Sequence, residues 1–414
     1  MLVLSTGAFA VFLGDGALSA QLFPLLWVAA YVVAILGLVD QSLRLREPLR
    51  PPWALTSFVA LALASTWWSV SPDVSLRRGI ALGGTVAVGL FIARRLDAVS
   101  VFAAVRRAMV VVAVASLLLY ALGDPRVVDE THQTLRGVVV TKNTLGRIMA
   151  IGLIAAAAEG LLDRRRWRRC VLSAIPLALA LTLAGSAGGA VLALAGLAVI
   201  AAAALWRFDG GRSAIPAAVA AVTASLLLNP YGLSPERLLA LTGRDPSLTG
   251  RTDIWAESLK AARDNLVLGE GFGAFWTLGS SEGSDGARRI SARLAEPVAN
   301  AHNGLLDLLL TTGLIGVTLA VIVLGQLLIL GIRDISAGRS WPAALRLVVL
   351  FLLLVSTAAE SGLLQENALL TLLLAVGIGT GRAAGEVVTT PVVPHESARL
   401  PEGPAVRQPA LPRA

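Results

Sequence analysis

The chain has 414 residues, of which 56% are apolar and only 15% charged, with a formal net charge of +8. A soluble chain of this length carries nearer a quarter charged residues, and apolar runs of about 17–25 residues, long enough to cross a bilayer, recur throughout. A water-soluble globular fold is excluded, and the positive charge does not point to nucleic acid, because most arginines sit in short clusters between apolar runs, where they act as topology signals.

In chain order the hydropathy predicts twelve spans. The first, Leu2–Leu13, is short and followed closely by Gly14 and Gly16. No basic segment precedes it, so it reads as a retained span rather than a cleaved signal. The next four cover Leu22–Val39, Trp53–Trp68, Gly79–Ala93 and Met109–Leu122. A polar loop, Gly123–Asn143, precedes Thr144–Leu162, which ends in DRRRWRRC (Asp163–Cys170). The sole cysteine, Cys170, allows no intramolecular disulfide and reads as a packed small residue. Val171–Ala184 and Ala190–Leu205 are joined by the small-residue hinge GSAGG, and Ala214–Leu228 follows. After a long polar interval come Gly304–Leu330, Ala343–Ser356 and Leu363–Gly381. The proline-rich tail cannot bury a core and reads as disordered.

Arginines concentrate in alternate loops, which places those loops and both termini on the cytoplasmic side. The Gly123–Asn143 loop and the long polar loop then share the outer side. Arg77 and Arg78 are exceptions. The expected architecture is an all-α polytopic membrane protein: an N-terminal bundle over 1–229, an outer loop with an amphipathic helix over 230–302, a C-terminal bundle over 303–381 and a tail over 382–414.

The outer loops hold cations that the positive-inside bias disfavours, so each needs a local reason. Arg136, Lys142 and Arg147 flank the start of the sixth span. Arg244 and Arg251 sit in paired Gly-Arg steps. Thr252 and Asp253 are good helix-start residues, and Ile254, Trp255, Leu259, Ala262 and Leu266 then repeat at helical spacing, which predicts an amphipathic helix on or near the membrane surface. An arginine at its start faces an unfavourable dipole unless an anion is shared between them, so a phosphate site is one reading. An exposed interfacial arginine, or an ion pair with Asp253 or Asp245, is the other. His302 lies at the bilayer boundary beside Asn303 and Gly304, where it is a candidate base or donor, or a simple interfacial histidine. No second His or Cys stands nearby, which argues against zinc. GEGFGAFW (Gly269–Trp276) has no strand before it and reads as a turn re-entering the interface, anchored by Phe272, Phe275 and Trp276, rather than as a nucleotide loop. Glu360 and Glu366 lie near the outer ends of the last two spans. They are functional candidates by position, or solvated carboxylates.

GRDPSLTGRTDIW, LGEGFGAFW and AHNGLLDLLLTTGLIG, in this order between spans, resemble the O-antigen ligase/polymerase superfamily, and within it the exopolysaccharide-production polymerases. RGVVVTKNTLG upstream fits the same pattern. The resemblance implies an inner-membrane glycosyltransferase that needs no metal or other cofactor. Its donor would be a glycan on undecaprenyl pyrophosphate, and its acceptor a second glycan or lipid A core. A chain-length regulator and a flippase are implied as possible partners. Carried over by motif, Arg251 binds the pyrophosphate and His302 serves the acceptor hydroxyl. Arg136 and Lys142 are further phosphate contacts, and Arg244 and Arg147 join them by charge and position. Polymerase and ligase share this donor site. A secondary transporter is the reading from another class, against which stand the scarcity of charges inside spans and the lack of visible repeats.

Overall fold

Helix starts follow the short polar residues between apolar runs. Asp97, Thr141, Ser284 and Asn303 each accept a hydrogen bond from a backbone N–H in the first turn of the helix that follows. Gly185, left-handed with φ +58°, closes another. The computed structural model describes residues 1–9, 12, 17–45, 52–129, 133–209, 251–276, 284–295 and 297–380. The described helices are α1 (Ala17–Leu45), α2 (Trp53–Ala64), α3 (Pro72–Arg95), α4 (Ala98–Ala121), α5 (Lys142–Leu162), α6 (Trp167–Ala184), α7 (Ala187–Asp209), α8 (Arg251–Ala262), α9 (Asp285–Leu294), α10 (Gly304–Ser336), α11 (Ser340–Ala359) and α12 (Leu369–Gly379). Two short strands, β1 (Val128–Asp129) and β2 (Thr134–Leu135), pair antiparallel in the loop before α5.

Seven of these helices are long and apolar enough to cross a membrane, and α2, α7 and α12 are shorter apolar helices. The chain is an all-α polytopic membrane protein. In one group α5 packs against α4, α6 and α7; in the other α3 packs against α1, α2 and α12, and α10 against α2 and α11. Helix α11 joins them through contacts with α4, α5 and α7. Every residue of α12 is buried. A second, smaller core lies apart, where Ile254 and Ala261 of α8 meet Ile290 of α9, Phe275 and the first turns of α10.

The two ends of the bundle differ. At one end, buried carboxylates meet arginines: Arg106 pairs with Glu159 at 2.8 Å, and Asp334 pairs with Arg339 and Arg346. The other end holds residues 1–9, the β-hairpin, the start of α5, α8, α9, the start of α10 and the 360–368 loop.

Several expectations change. The first predicted span is no membrane helix over its described residues. Leu4–Thr6 form one 3-10 turn, and Gly7 and Phe9 then adopt φ +69° and +68°. That turn is held beside the hairpin loop by the Phe9 N–H to Val138 carbonyl bond, 2.7 Å. Residues 1–9 therefore lie at the opposite end of the bundle from Thr380, whose carbonyl accepts from Arg346, against the expectation that both termini share a side. Arg77, Arg78, Arg106 and Arg107 lie within α3 and α4 rather than in loops. The last helix starts only at Leu369, leaving 360–368 as a loop in which Leu364 and Asn367 have φ +56° and +59°. The predicted span 214–228, Arg244 and the tail from 381 lie outside the described residues.

Candidate functional site

The site is built around a break in α10. Gly313 has φ 63° and ψ −165°, so the helix stops bonding to itself there. The freed groups pair with the 265–271 segment. Leu314 and Ile315 donate to the carbonyls of Leu266 and Val267, at 2.9 and 3.3 Å. Glu270 and Gly271 donate to the carbonyls of Leu310 and Thr311, both at 3.0 Å. A Cβ on Gly313 would fall on the Val267 carbonyl, so only glycine fits. LGEGFG and TTGLIG are thus two halves of one backbone joint, which satisfies groups that a broken helix would otherwise leave unpaired.

The same joint buries the aromatic residues. Phe272 and Phe275 are 3% and 0% exposed, so they are core residues rather than the interfacial anchors expected. Trp276 Nε1 donates to Asp307 Oδ1 at 2.8 Å, and the same oxygen accepts the Ala301 N–H at 3.0 Å. Helix α8 forms as expected, but its apolar face packs on α9 and α10 rather than lying on lipid. Only part of the predicted stripe takes part: Ile254 and Ala262 are buried, whereas Leu259 and Leu266 face outward. Trp255 of α8 donates from Nε1 to the Ala301 carbonyl at 2.7 Å.

These contacts fix the turn that carries His302. Its backbone is left-handed, φ +50°, uncommon for a residue with a side chain. Its N–H donates to Asn300 Oδ1 at 2.9 Å, and Asn300 is in turn approached by Ser361 Oγ at 3.3 Å. Asn303 then caps α10. The imidazole is thereby turned so that Nδ1 stands 3.8 Å from Glu360 Oε2, with the two side chains 35% and 30% exposed. That separation is an ion-pair contact, longer than a hydrogen bond.

Glu360 brings the expected cations together. Burial pushes its carboxyl up, but His302 and the charges of Arg147 and Arg251 outweigh this and hold it below the usual carboxylate range. Arg147 arrives from the second turn of α5 and Arg251 from the first residue of α8, so four elements converge on one carboxylate. The cluster carries two guanidiniums, one carboxylate and one titratable imidazole, a surplus of positive charge suited to an anion. A cavity beside it is lined by Thr6, Thr144, Arg147, Ser361 and Gln365, with Ile148, Ile151 and Leu369 below.

The other predicted cations are not among the charges that act on Glu360. Arg136 donates from Nε to the Arg126 carbonyl at 2.8 Å, at the base of the hairpin. Lys142 is the first residue of α5. Arg244 is outside the described residues. Asn300, Asp307 and Ser361 hold the site and were not singled out from sequence; their signal was adjacency to AHNG and Glu360. Arg78, an exception to the charge bias, pairs with Glu366 at 3.5 Å, and its side chain packs on Gly273. Burial raises the Glu366 carboxyl despite this partner. Arg78 therefore ties the 265–276 loop to the 360–368 loop.

Part of the chain resembles known proteins. Residues 172–321 match the O-antigen ligase family. Over that stretch the chain is similar to the O-antigen ligase family. It is 28% identical over 284 residues to the exopolysaccharide production protein ExoQ of Rhizobium meliloti (strain 1021). That alignment covers 65% of this chain and 62% of the relative, so it spans less than two thirds of the relative's own length. The family match includes Arg251, His302 and both halves of the Gly313 joint. Arg147 and Glu360 lie outside it.

Proposed function

We propose that the chain is a membrane glycosyltransferase. It would join glycan repeat units carried on undecaprenyl pyrophosphate into an exopolysaccharide or O-antigen, on the outer face of the bacterial inner membrane. The observation that carries the reading is the convergence of His302, Glu360, Arg147 and Arg251, in a chain similar to this family, at the end of the bundle that holds α8, α9 and the β-hairpin. In the reaction, the bond from the donor's anomeric carbon to the pyrophosphate oxygen breaks, and the electron pair leaves with the lipid pyrophosphate. The acceptor hydroxyl oxygen bonds to that carbon and its proton passes to His302.

Arg147 and Arg251 neutralise the departing charge in a partly dehydrated setting, where fixed charges act strongly. The N-terminus of α8, where Arg251 sits, adds the positive end of the helix dipole. Glu360 beside Nδ1 favours a proton on that nitrogen and leaves the other ring nitrogen to accept. Attack opposite the leaving group inverts the anomeric centre, and NMR of the product linkage showing retention would sink this single-displacement scheme.

The test uses purified protein with a synthetic lipid-pyrophosphate-linked repeat unit alone. A product ladder, lost in His302→Ala and Arg251→Ala with folded protein intact, supports a polymerase. The description of the matched family favours a second reading, a ligase. Transfer only after lipid A core is added would support it. No transfer in either arrangement would count against both and direct attention to transport.

A further inference from the structure

The arginine-rich end carries a second basic cluster, distant from the site above. Five arginines flank Trp167, from the turn after α5 into the first turn of α6: Arg164, Arg165, Arg166, Arg168 and Arg169. They are not equivalent. Arg166 is committed inward, pairing with Glu159 at 3.3 Å and with Asp163 at 2.9 Å. Among the described residues the other four enter no ion pair, and all four are exposed. A topology signal requires only that positive charge be present on one side. It does not require Arg106 and Arg166 to take up the nearby carboxylates while four arginines remain available.

The aromatic residue among them is also placed for a ligand. Trp167 is 53% exposed, and the Arg168 guanidinium lies 5.6 Å from its ring. Arg168, Leu172, Ile175 and Leu179 follow one another at helical spacing on α6, forming one stripe. The three apolar members are exposed, Leu172 at 67%. Helix α6 is also the least buried of the long apolar helices, with 22% of its span inside the protein. The stripe is therefore the lipid-facing side of a membrane helix, and Arg168 stands at its end, at the level of the headgroups. A tryptophan at that depth marks the interface.

We propose that Arg164, Arg165, Arg168 and Arg169, with Trp167, form a binding site for anionic phospholipid headgroups in the leaflet at the arginine-rich end, whose acyl chains lie along the Leu172–Leu179 stripe. Guanidiniums pair with phosphate in a fixed fork, and basic clusters directly beside a membrane helix attract anionic lipid. The inference does not depend on the catalytic reading, since it uses neither its residues nor its end of the molecule.

The test is native mass spectrometry of the full chain, released from detergent with phosphatidylglycerol or with phosphatidylcholine of the same acyl chains. The wild type should retain phosphatidylglycerol under activation that strips phosphatidylcholine. A variant carrying Arg165→Gln, Arg168→Gln and Arg169→Gln should lose that preference by about ten-fold or more. A matched charge-loss control, Arg94→Gln with Arg95→Gln, should keep it. Equal retention of both lipids by the wild type overturns the proposal. So does an equal loss in the control, which would mean diffuse attraction rather than a site. If the triple variant does not fold, Arg168→Gln and Trp167→Ala are read singly: a smaller loss in each supports the site, and wild-type preference in both overturns it.

Discussion

His302 holds an unusual backbone conformation because its neighbours determine it. Asn300, Asp307 and Trp255 each bond within or to the turn, and Trp276 holds Asp307 in place. Under the proposed chemistry, His302→Ala should lower transfer by roughly 10²–10⁴-fold, the usual range for a lost general base, with unchanged melting temperature; wild-type rates would remove it from the mechanism. Glu360 supplies a pH signature. Its carboxyl has an ordinary value of 4.5 and a lower one in the fold. The cluster's stabilisation is therefore complete above that ordinary value and is lost as pH falls below it, towards the folded pKa. Glu360→Gln should flatten this acid-side loss in melting curves taken between neutral pH and pH 3. An unchanged acid slope would show that the carboxylate is not held by these cations.

At the scale of the element, the broken helix α10 and the 265–276 loop complete each other's hydrogen bonding. Gly313→Ala places a methyl against the Val267 carbonyl and forces a residue with a Cβ into φ 63° and ψ −165°, a region essentially reserved for glycine, which alone costs about 1–3 kcal/mol. We expect a clear loss of melting temperature and of activity together, because the joint also positions the His302 turn. A variant with wild-type stability would mean the loop is held by other contacts. Arg78 joins the same loop to 360–368 through Glu366. Arg78→Ala leaves a carboxyl only 20% exposed without its cation, so it should destabilise more than the double change Arg78→Ala with Glu366→Gln. Additive melting shifts in that double-mutant cycle would contradict the coupling.

For the whole molecule, the two ends make a prediction about sidedness. Residues 1–9 share the end that holds the site, and the α10–α11 turn lies at the other. With Cys170 replaced by Ala, Phe9→Cys and Asp285→Cys should react with a membrane-impermeant thiol reagent in intact cells, whereas Gly338→Cys should react only after permeabilisation. Labelling of Phe9→Cys and Gly338→Cys from one side would contradict the arrangement.

Composition and periodicity alone determined that the chain is a bundle of membrane helices, because burying a backbone in hydrocarbon leaves few other solutions. The helix of Arg251–Ala262 was legible from its polar start and its apolar spacing. His302, by its place at a bilayer boundary, and the outer cations, by the charge bias, were candidates that the sequence could only single out. What hydropathy could not show was how apolar segments end. Leu2–Leu13 is apolar yet turns twice into left-handed backbone, and 363–368 is a loop though it reads as the start of a span. Such breaks depend on partners distant in sequence, as Gly313 depends on Leu266 and Val267. The pairing of His302 with Glu360, and the approach of Arg147 from α5 and Arg251 from α8, were decided only by tertiary structure. The cluster exists because residues of four separate elements meet at one end of the bundle.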